Sequence, residues 1–313
     1  MKVLFVWPGL TGYMGDCWRE LAGRDGIDLK IAVDLSDRYF GGNFASQDIM
    51  YNLDWGECLP CEWKPDVVFT VGWYNRMCRA AVESFPATRK VCCFDMPWEW
   101  RLRKVAARFV LWRYLRRFDA AFVPGVIAAK YAKWLGFNNG NIIKGLFSTD
   151  ITRFAAHNGG GGFLFLGREV PEKGIDVLRK AYSIYKANGG KWELRVVSNT
   201  VPSEVGKYYS EADCFVLPSR WEPWGVVLVE AAAAGLPIIC TDRCGARFEV
   251  VNGNGVVVKS GNTEALASAM HKIENVSVAA RLTMGAKGKA LAQPYSCKVW
   301  ADRVIDICRQ LAK

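Results

Sequence analysis

Short apolar runs of four to six residues recur along this chain, each followed by a stretch with helical spacing. Runs of that length bounded by turn residues read as strands buried on both faces. Strands that alternate with helices pair in parallel. In the first half the runs are Lys2–Trp7, Leu29–Val33, Val67–Val71, Lys90–Phe94 and Ala120–Val123. Helical spacing covers Cys17–Gly23, Asn75–Phe85, Trp98–Phe118 and Val126–Leu135. Residues 36–62 break the rhythm with Gly41-Gly42-Asn43 and a Cys58-Leu59-Pro60-Cys61 turn, and read as an irregular insertion. Four consecutive glycines then close the segment 157–162, which reads as a flexible joint between domains 1–156 and 163–313. The alternation resumes with strands Phe163–Leu166, Glu193–Val197, Cys214–Leu217 and Pro237–Cys240. Helices cover Gly174–Ala187 and Gly225–Ala234, and a loop fills the stretch before Cys214. Near the end, Trp300, Val304, Ile307 and Leu311 share one helical face. Two α/β domains on a hinge suggest a cleft that closes on a ligand.

No apolar run approaches the roughly 18 residues of a membrane span. The start, MKVLFVWPGL, is too short in its apolar part for a secretory signal. Eleven cysteines without such a signal imply reduced thiols and a cytoplasmic setting. Cys58-x2-Cys61 with Cys92 and Cys93 lacks a second spaced pair, so small apolar core residues are the better reading than zinc ligands.

The formal charge is +10, from 41 basic and 31 acidic residues. A surplus of that size selects nucleic acid, anionic membrane or phosphorylated ligands without choosing among them. Residues 97–117 hold seven basic residues and one acid, net +6. Within them Trp98, Leu102, Val105, Phe109 and Trp112 form an apolar stripe at helical spacing, flanked by Arg101, Lys104 and Arg108. Two readings stand. Either the stripe packs on a core beneath a solvated basic face, or the segment makes peripheral contact with an anionic membrane, where each Lys or Arg contributes ~1 kcal/mol. Nucleic acid is the weaker partner, for want of a zinc-finger spacing, an RNA-recognition signature or a basic tail.

Two loops carry chemistry. Gly167-Arg168-Glu169-Val170-Pro171-Glu172-Lys173-Gly174 joins a strand to a helix and places two fixed cations where a diphosphate could sit. Pro218-Ser219-Arg220-Trp221-Glu222-Pro223-Trp224-Gly225 also leads from strand to helix, with Glu230 eight residues beyond Glu222. A carboxylate accepts hydrogen bonds from sugar hydroxyls, a helix N-terminus favours phosphate, and glycine permits close backbone approach. Either glutamate alone would warrant no more than a solvated side chain.

Taken with Tyr209…Ala212-Asp213, Ala234-Gly235-Leu236-Pro237 and Gly245…Glu249-Val250-Val251…Gly253…Gly255, these segments resemble the second domain of GT-B glycosyltransferases, specifically glycosyltransferase family 4. The first half resembles it more weakly, through Pro8-Gly9…Gly12…Gly15 and Gly145…Asp150…Phe154. The resemblance implies two Rossmann-like α/β domains facing across a cleft, with the C-terminal helix packing back toward the first. It implies a retaining transferase moving a sugar from a nucleotide sugar, UDP- or GDP-linked, to a hydroxyl of a glycan or lipid-linked acceptor, with no cofactor. On that reading Arg168 and Lys173 hold the diphosphate. Glu222 binds donor-sugar hydroxyls, Trp224, Gly225 and Val226 supply backbone contacts, and Glu230 binds the ribose. Gly9 and Gly12 approach the donor from the first domain.

The family often carries a first-domain histidine, whereas this chain has only His157 and His271. Asp95, after a strand, is the candidate in its place for a catalytic role, with helix capping as the alternative, and Glu99 is a second candidate. About ten residues separate Val197 from Tyr208, so a βα unit of the family is expected to be missing. No Asp-x-Asp occurs, so no metal-bridged diphosphate is suggested. A non-catalytic sugar-nucleotide-binding subunit, a transferase acting on DNA, and a GT-B epimerase or phosphorylase are the competing readings.

Overall fold

The computed structural model describes residues 1–9, 11–33, 50–52, 63–154, 160–198, 200, 201 and 203–313. It divides into two compact units, Met1–Ser148 with Cys297–Lys313, and Thr149–Ser296.

The first unit runs β1 (Lys2–Trp7), α1 (Gly12–Ala22), β2 (Asp28–Val33), β3 (Met50–Asn52), β4 (Val67–Val71), α2 (Arg76–Ser84) and β5 (Arg89–Cys93). It continues through α3 (Leu102–Val110), α4 (Trp112–Leu115), β6 (Ala120–Val123), α5 (Val126–Leu135) and β7 (Ile142–Lys144). The seven strands form a parallel sheet in the order β3-β2-β1-β4-β5-β6-β7. Alternation along β1 shows why the run is apolar throughout. Val3, Phe5 and Trp7 enter one core with Trp18 and Trp300, while Leu4 and Val6 enter another with Met77, Cys78 and Ala81. Phe5 stacks on Phe69 at 4.5 Å and meets Trp300 at 5.7 Å. The last helix of the chain, Cys297–Leu311, thus belongs to this unit, as the resemblance implies, and not to the second domain read over 163–313, while Thr149–Phe154, read into the first domain, fall in the second unit. The Trp300 indole donates to the Leu146 carbonyl at 2.7 Å.

The second unit runs β8 (Phe163–Leu166), α6 (Ile175–Ala187), β9 (Leu194–Val197), α7 (Val205–Glu211), β10 (Cys214–Leu217), α8 (Val226–Ala234) and β11 (Ile238–Thr241). It ends with α9 (Arg247–Val250), β12 (Gly255–Val258), α10 (Thr263–Glu274) and α11 (Val278–Ala292). Its five strands are parallel in the order β12-β11-β10-β8-β9.

Several boundaries differ from the sequence reading. The helix expected over Trp98–Phe118 is two pieces, α3 and α4, separated at Leu111. The break changes which residues meet the core. Ala107, Leu111 and Leu115, four apart, pack inward, while Leu102, Phe109 and Trp112 of the expected stripe are exposed. Helix α1 begins at Gly12 rather than Cys17, because Gly12 and Gly15, read as a turn, lie inside it. The loop before Cys214 contains α7, with no strand among its described residues. Gly160–Gly162 fall within the second unit, and His157–Gly159 lie outside the described residues. So does the insertion over 36–62 with its Cys58–Cys61 turn, apart from the strand Met50–Asn52. All nine described cysteines are free and buried, as small apolar residues would be. Burial pushes the Cys92 and Cys93 thiols up.

Trp300 is fully buried with its one polar atom satisfied. Trp300→Ala should destabilise the protein by ~3–5 kcal/mol through the cavity it leaves. Urea unfolding measures this, and a loss below ~1 kcal/mol would mean the last helix contributes little to the first core.

Candidate active site

The second sheet reverses its winding between β8 and β10. From β8 the chain steps outward to β9, then returns to the other side of β8 for β10, β11 and β12. Loops leaving the carboxyl ends of β8 and β10 therefore diverge, which opens the crevice where such sheets bind ligands. The two loops singled out from sequence, 167–174 and 218–225, are these two.

They are tied together. The Arg220 backbone N–H donates to the Glu172 carbonyl at 2.7 Å. Its guanidinium forks onto both Asp176 carboxylate oxygens at 2.6 Å and reaches the Pro171 carbonyl at 2.9 Å. That paired cation holds the exposed Asp176 carboxyl down at about 2. Gly174 has φ 67°, and a Cβ there would collide with the Pro218 carbonyl oxygen. A third loop, after β11, locks the second. Glu222 N–H donates to the Arg243 carbonyl at 3.1 Å, and Gly245 N–H returns a bond to the Glu222 carbonyl at 2.9 Å. Ala246 N–H donates to the Trp224 carbonyl at 2.9 Å.

Between the loops Lys173 Nζ donates to Glu222 Oε2. The side chains are only 16% and 13% exposed, so the pair is largely withdrawn from water. Removing one partner leaves the other charged and poorly solvated, which is costly. Gly225 follows at φ 95°, which demands glycine, and a Cβ would also crowd Glu222 Cγ at 3.0 Å. Helix α8 starts at Val226, half-buried, and presents its first-turn N–H groups and positive dipole end there. One turn on, Glu230 Oε2 accepts from the Tyr209 hydroxyl at 2.9 Å. Tyr209 is fully buried. Burial, then the neighbouring Glu230 carboxylate, push its hydroxyl well above the usual phenol range, so it remains a donor.

Arg168 is exposed and has no hydrogen-bond or ion-pair partner among the described residues. The Trp224 side chain is 2% exposed and packs on Tyr295 at 5.3 Å, so only its backbone stands at the crevice. In the first unit, Gly9 sits in the buried turn after β1 and Gly12 opens α1, where a Cβ would meet nothing within 4 Å. Asp95 follows β5, partly buried. Glu99 is engaged by Lys104 at 3.1 Å and Arg101 at 3.0 Å. Each of Gly9, Gly12 and Asp95 lies at the carboxyl edge of the first sheet. No group of three or more metal-ligating side chains occurs among the described residues.

The sequence reading brought Lys173 and Glu222 to one site but assigned them to different ligand groups, whereas the fold pairs them. It had no role for Tyr209, whose only signal was its place before a strand. It missed Arg220–Asp176 altogether, since 44 residues separate the two and nothing in the intervening sequence marks the pairing.

Comparison with known proteins matches residues 193–290 to the family described as Glycosyl transferases group 1. The chain is 29% identical over 165 residues to the capsular polysaccharide biosynthesis glycosyltransferase CapM of Staphylococcus aureus, covering 44% of this chain and 43% of CapM. The aligned part thus spans under half the length of that relative. Among solved structures, sucrose-phosphate synthase of Thermosynechococcus elongatus superposes with a TM-score of 0.72 at 16% identity, over 99% of both chains. HepE of Anabaena, solved with UDP and glucose, gives 0.70 at 13% identity, over 99% of this chain and 100% of that one. Likeness at such low identity shows the fold, which is GT-B with two Rossmann-like α/β units.

The Arg220–Asp176 clamp makes a pH prediction. A depressed carboxyl stabilises the fold above its unfolded value near ~4, and the contribution is lost as pH falls toward the folded value. Arg220→Met should release the Asp176 carboxyl from about 2 toward that ordinary range. Carboxyl carbon NMR titration reads the change, and an unmoved value would mean the clamp does not form in solution.

Proposed function

We propose that this protein is a retaining glycosyltransferase that uses a nucleotide-diphosphate sugar, UDP- or GDP-linked, and transfers the sugar to a hydroxyl of a glycan or lipid-linked acceptor. The observation that carries the reading is the Lys173–Glu222 pair at the switch point of the second sheet, beside the N-terminus of α8. Glu222 lies within the stretch 193–290 that matches the group 1 transferases, and Lys173 precedes that stretch. A donor diphosphate needs cations and N–H donors, and a sugar needs a carboxylate fixed close by. This crevice offers both within two loops that are tied to each other.

Arg168, whose charge meets no partner among the described residues, and Lys173 bind the diphosphate. Glu222, oriented by Lys173, accepts hydrogen bonds from the donor-sugar hydroxyls. The backbone of Trp224, Gly225 and Val226 lines the phosphate side. Glu230, oriented by Tyr209, binds the ribose hydroxyls. Gly9 and Gly12 serve the donor from the first unit, and Asp95 positions the acceptor there. As the bond from the anomeric carbon to the phosphate oxygen breaks, charge develops on the leaving diphosphate and is stabilised by the two cations and the helix end. The acceptor oxygen bonds to the anomeric carbon on the same face, and its proton passes to the leaving phosphate oxygen. Configuration is retained without a protein nucleophile. The donor domain of this scheme is the unit Thr149–Ser296, and the first domain is Met1–Ser148 with the last helix. HepE was solved with UDP and glucose, which makes UDP-glucose the first donor to test.

Thermal shift against UDP-, GDP-, ADP- and TDP-sugars should single out one base, since a donor at a hundred times its Kd adds about 2.7 kcal/mol. With that donor, Glu222→Gln and Lys173→Ala should each lower kcat/KM by ~100-fold or more while the circular dichroism spectrum is kept. Proton NMR of the product should report the donor's anomeric configuration. A donor that binds without any turnover would leave the non-catalytic binding subunit as the correct reading.

Tyr209→Phe removes one hydrogen bond to Glu230 and should raise the donor KM by ~10-fold with kcat at saturation little changed. An equal loss in kcat would place Tyr209 in the chemical step instead.

A further inference from the structure

Helix α3 is amphipathic the wrong way round for a helix in a folded domain. None of its residues is buried. Leu102, Phe109 and Val110 share its outer side at spacings of seven and one, with exposures of 89%, 67% and 77%. Trp100 before it is 80% exposed and Trp112 after it 45%. The inner side is held by Ala107 and Leu111 against the core, and by Lys104, which donates to the Pro97 carbonyl at 2.6 Å. The helix is therefore anchored in this orientation. Contiguous apolar side chains left in water mark a surface that meets a partner.

The charge identifies the partner. Residues 97–117 are net +6, and Arg103, Arg113 and Arg116, all exposed, have no acidic partner among the described residues. Arg113 and Arg116 instead lie over the Trp112 ring at 5.6 and 5.5 Å. Beside the helix a groove of about 600 Å³ is lined by Arg108, Phe109, Trp112, Arg116, Leu135 and Phe137. Cations next to tryptophans next to aliphatic side chains match the order of a bilayer surface, with anionic headgroups outside, an interfacial layer, then acyl chains.

We propose that the outer side of α3 with its groove is a docking surface for an anionic lipid bilayer. Leu102, Phe109 and Val110 enter the acyl boundary, Trp100 and Trp112 lie at headgroup depth, and the arginines pair with lipid phosphates. A second copy of the chain would set +6 against +6. A nucleic acid would satisfy the arginines and leave three aliphatic or aromatic side chains against sugar and phosphate. The surface lies wholly in the first unit, so the proposal stands apart from the donor-site reading and is tested without a donor.

The test is flotation of the full chain with vesicles of phosphatidylcholine alone and of phosphatidylcholine with phosphatidylglycerol, across a salt series. The protein should float only with the anionic vesicles and progressively less as salt rises. Arg103→Ala, Arg113→Ala and Arg116→Ala should each weaken binding about fivefold. The combined variant Leu102→Ser, Phe109→Ser, Val110→Ser should lose flotation at moderate salt while its melting temperature is kept, since all three side chains are exposed. Failure of the unaltered protein to float at low salt overturns the proposal. So does tight binding to a DNA duplex that survives the triple serine change, which would assign the surface to nucleic acid. Dimers by light scattering that this change dissolves, without flotation, would assign it to a second copy.

Discussion

A central strand of a parallel sheet has to be buried on both sides, and that constraint organises everything else in this protein. In β1, residues of one parity meet Trp18 and Trp300 while those of the other meet Met77 and Ala81. No side chain on such a strand is free for chemistry. Polar function is displaced to the loops at the carboxyl edge, and the order β12-β11-β10-β8-β9 decides which loops diverge there. The same demand recruits the last helix of the chain. Without Trp300, Val304 and Ile307 the first sheet would expose Phe5 and Phe122 on one side.

Loops freed from the core must still hold a geometry. Here they do so by binding one another. The fork from Arg220 to Asp176 fixes the β10 loop to the first turn of α6, and the paired bonds around Glu222 and Gly245 fix it to the β11 loop. Glycines stand where two backbones come too close for a Cβ, as at Gly174 and Gly245. The Lys173–Glu222 pair then sits in a frame that is already closed. A largely buried ion pair adds little to stability by itself, because desolvation offsets attraction. Its value is orientational, with an ammonium and a carboxylate held ready at fixed positions.

Strands of this kind are legible in sequence because double-sided burial writes an unbroken apolar run. Phe163–Leu166 and Cys214–Leu217 match their apolar runs to the residue, and the helices after the two loops start one residue later than their spacing predicts. Short edge strands were not. Ile142–Lys144 is half-exposed and three residues long, too brief for its pattern to rise above its surroundings. Helix α1 was read five residues short because glycine at positions 12 and 15 signals a turn, yet packing overrides propensity there. Within the site, residue types were legible and pairings were not. Lys173 and Glu222 are 49 residues apart, and which ligand group or partner each meets is set by strand order, which no local pattern encodes.

Helix α3 shows the limit of periodicity most clearly. A stripe at helical spacing says that apolar side chains share one side, and it does not say which way that side points. Two stripes compete in this segment. One runs through Leu102, Phe109 and Val110. The other runs through Ala107 and Leu111 and continues to Leu115 in α4. The second stripe faces the core. The small Ala107 lets α3 lie close to the aromatic cluster of Trp98, Tyr131 and Trp134, and Lys104 extends over Tyr131 at 5.8 Å in the same layer. Burial of the first stripe would require the basic residues around it to enter the core as well, and an uncompensated buried guanidinium costs far more than an exposed leucine. Charge placement therefore decides the orientation, and it turns outward the apolar side chains that a core would otherwise have taken.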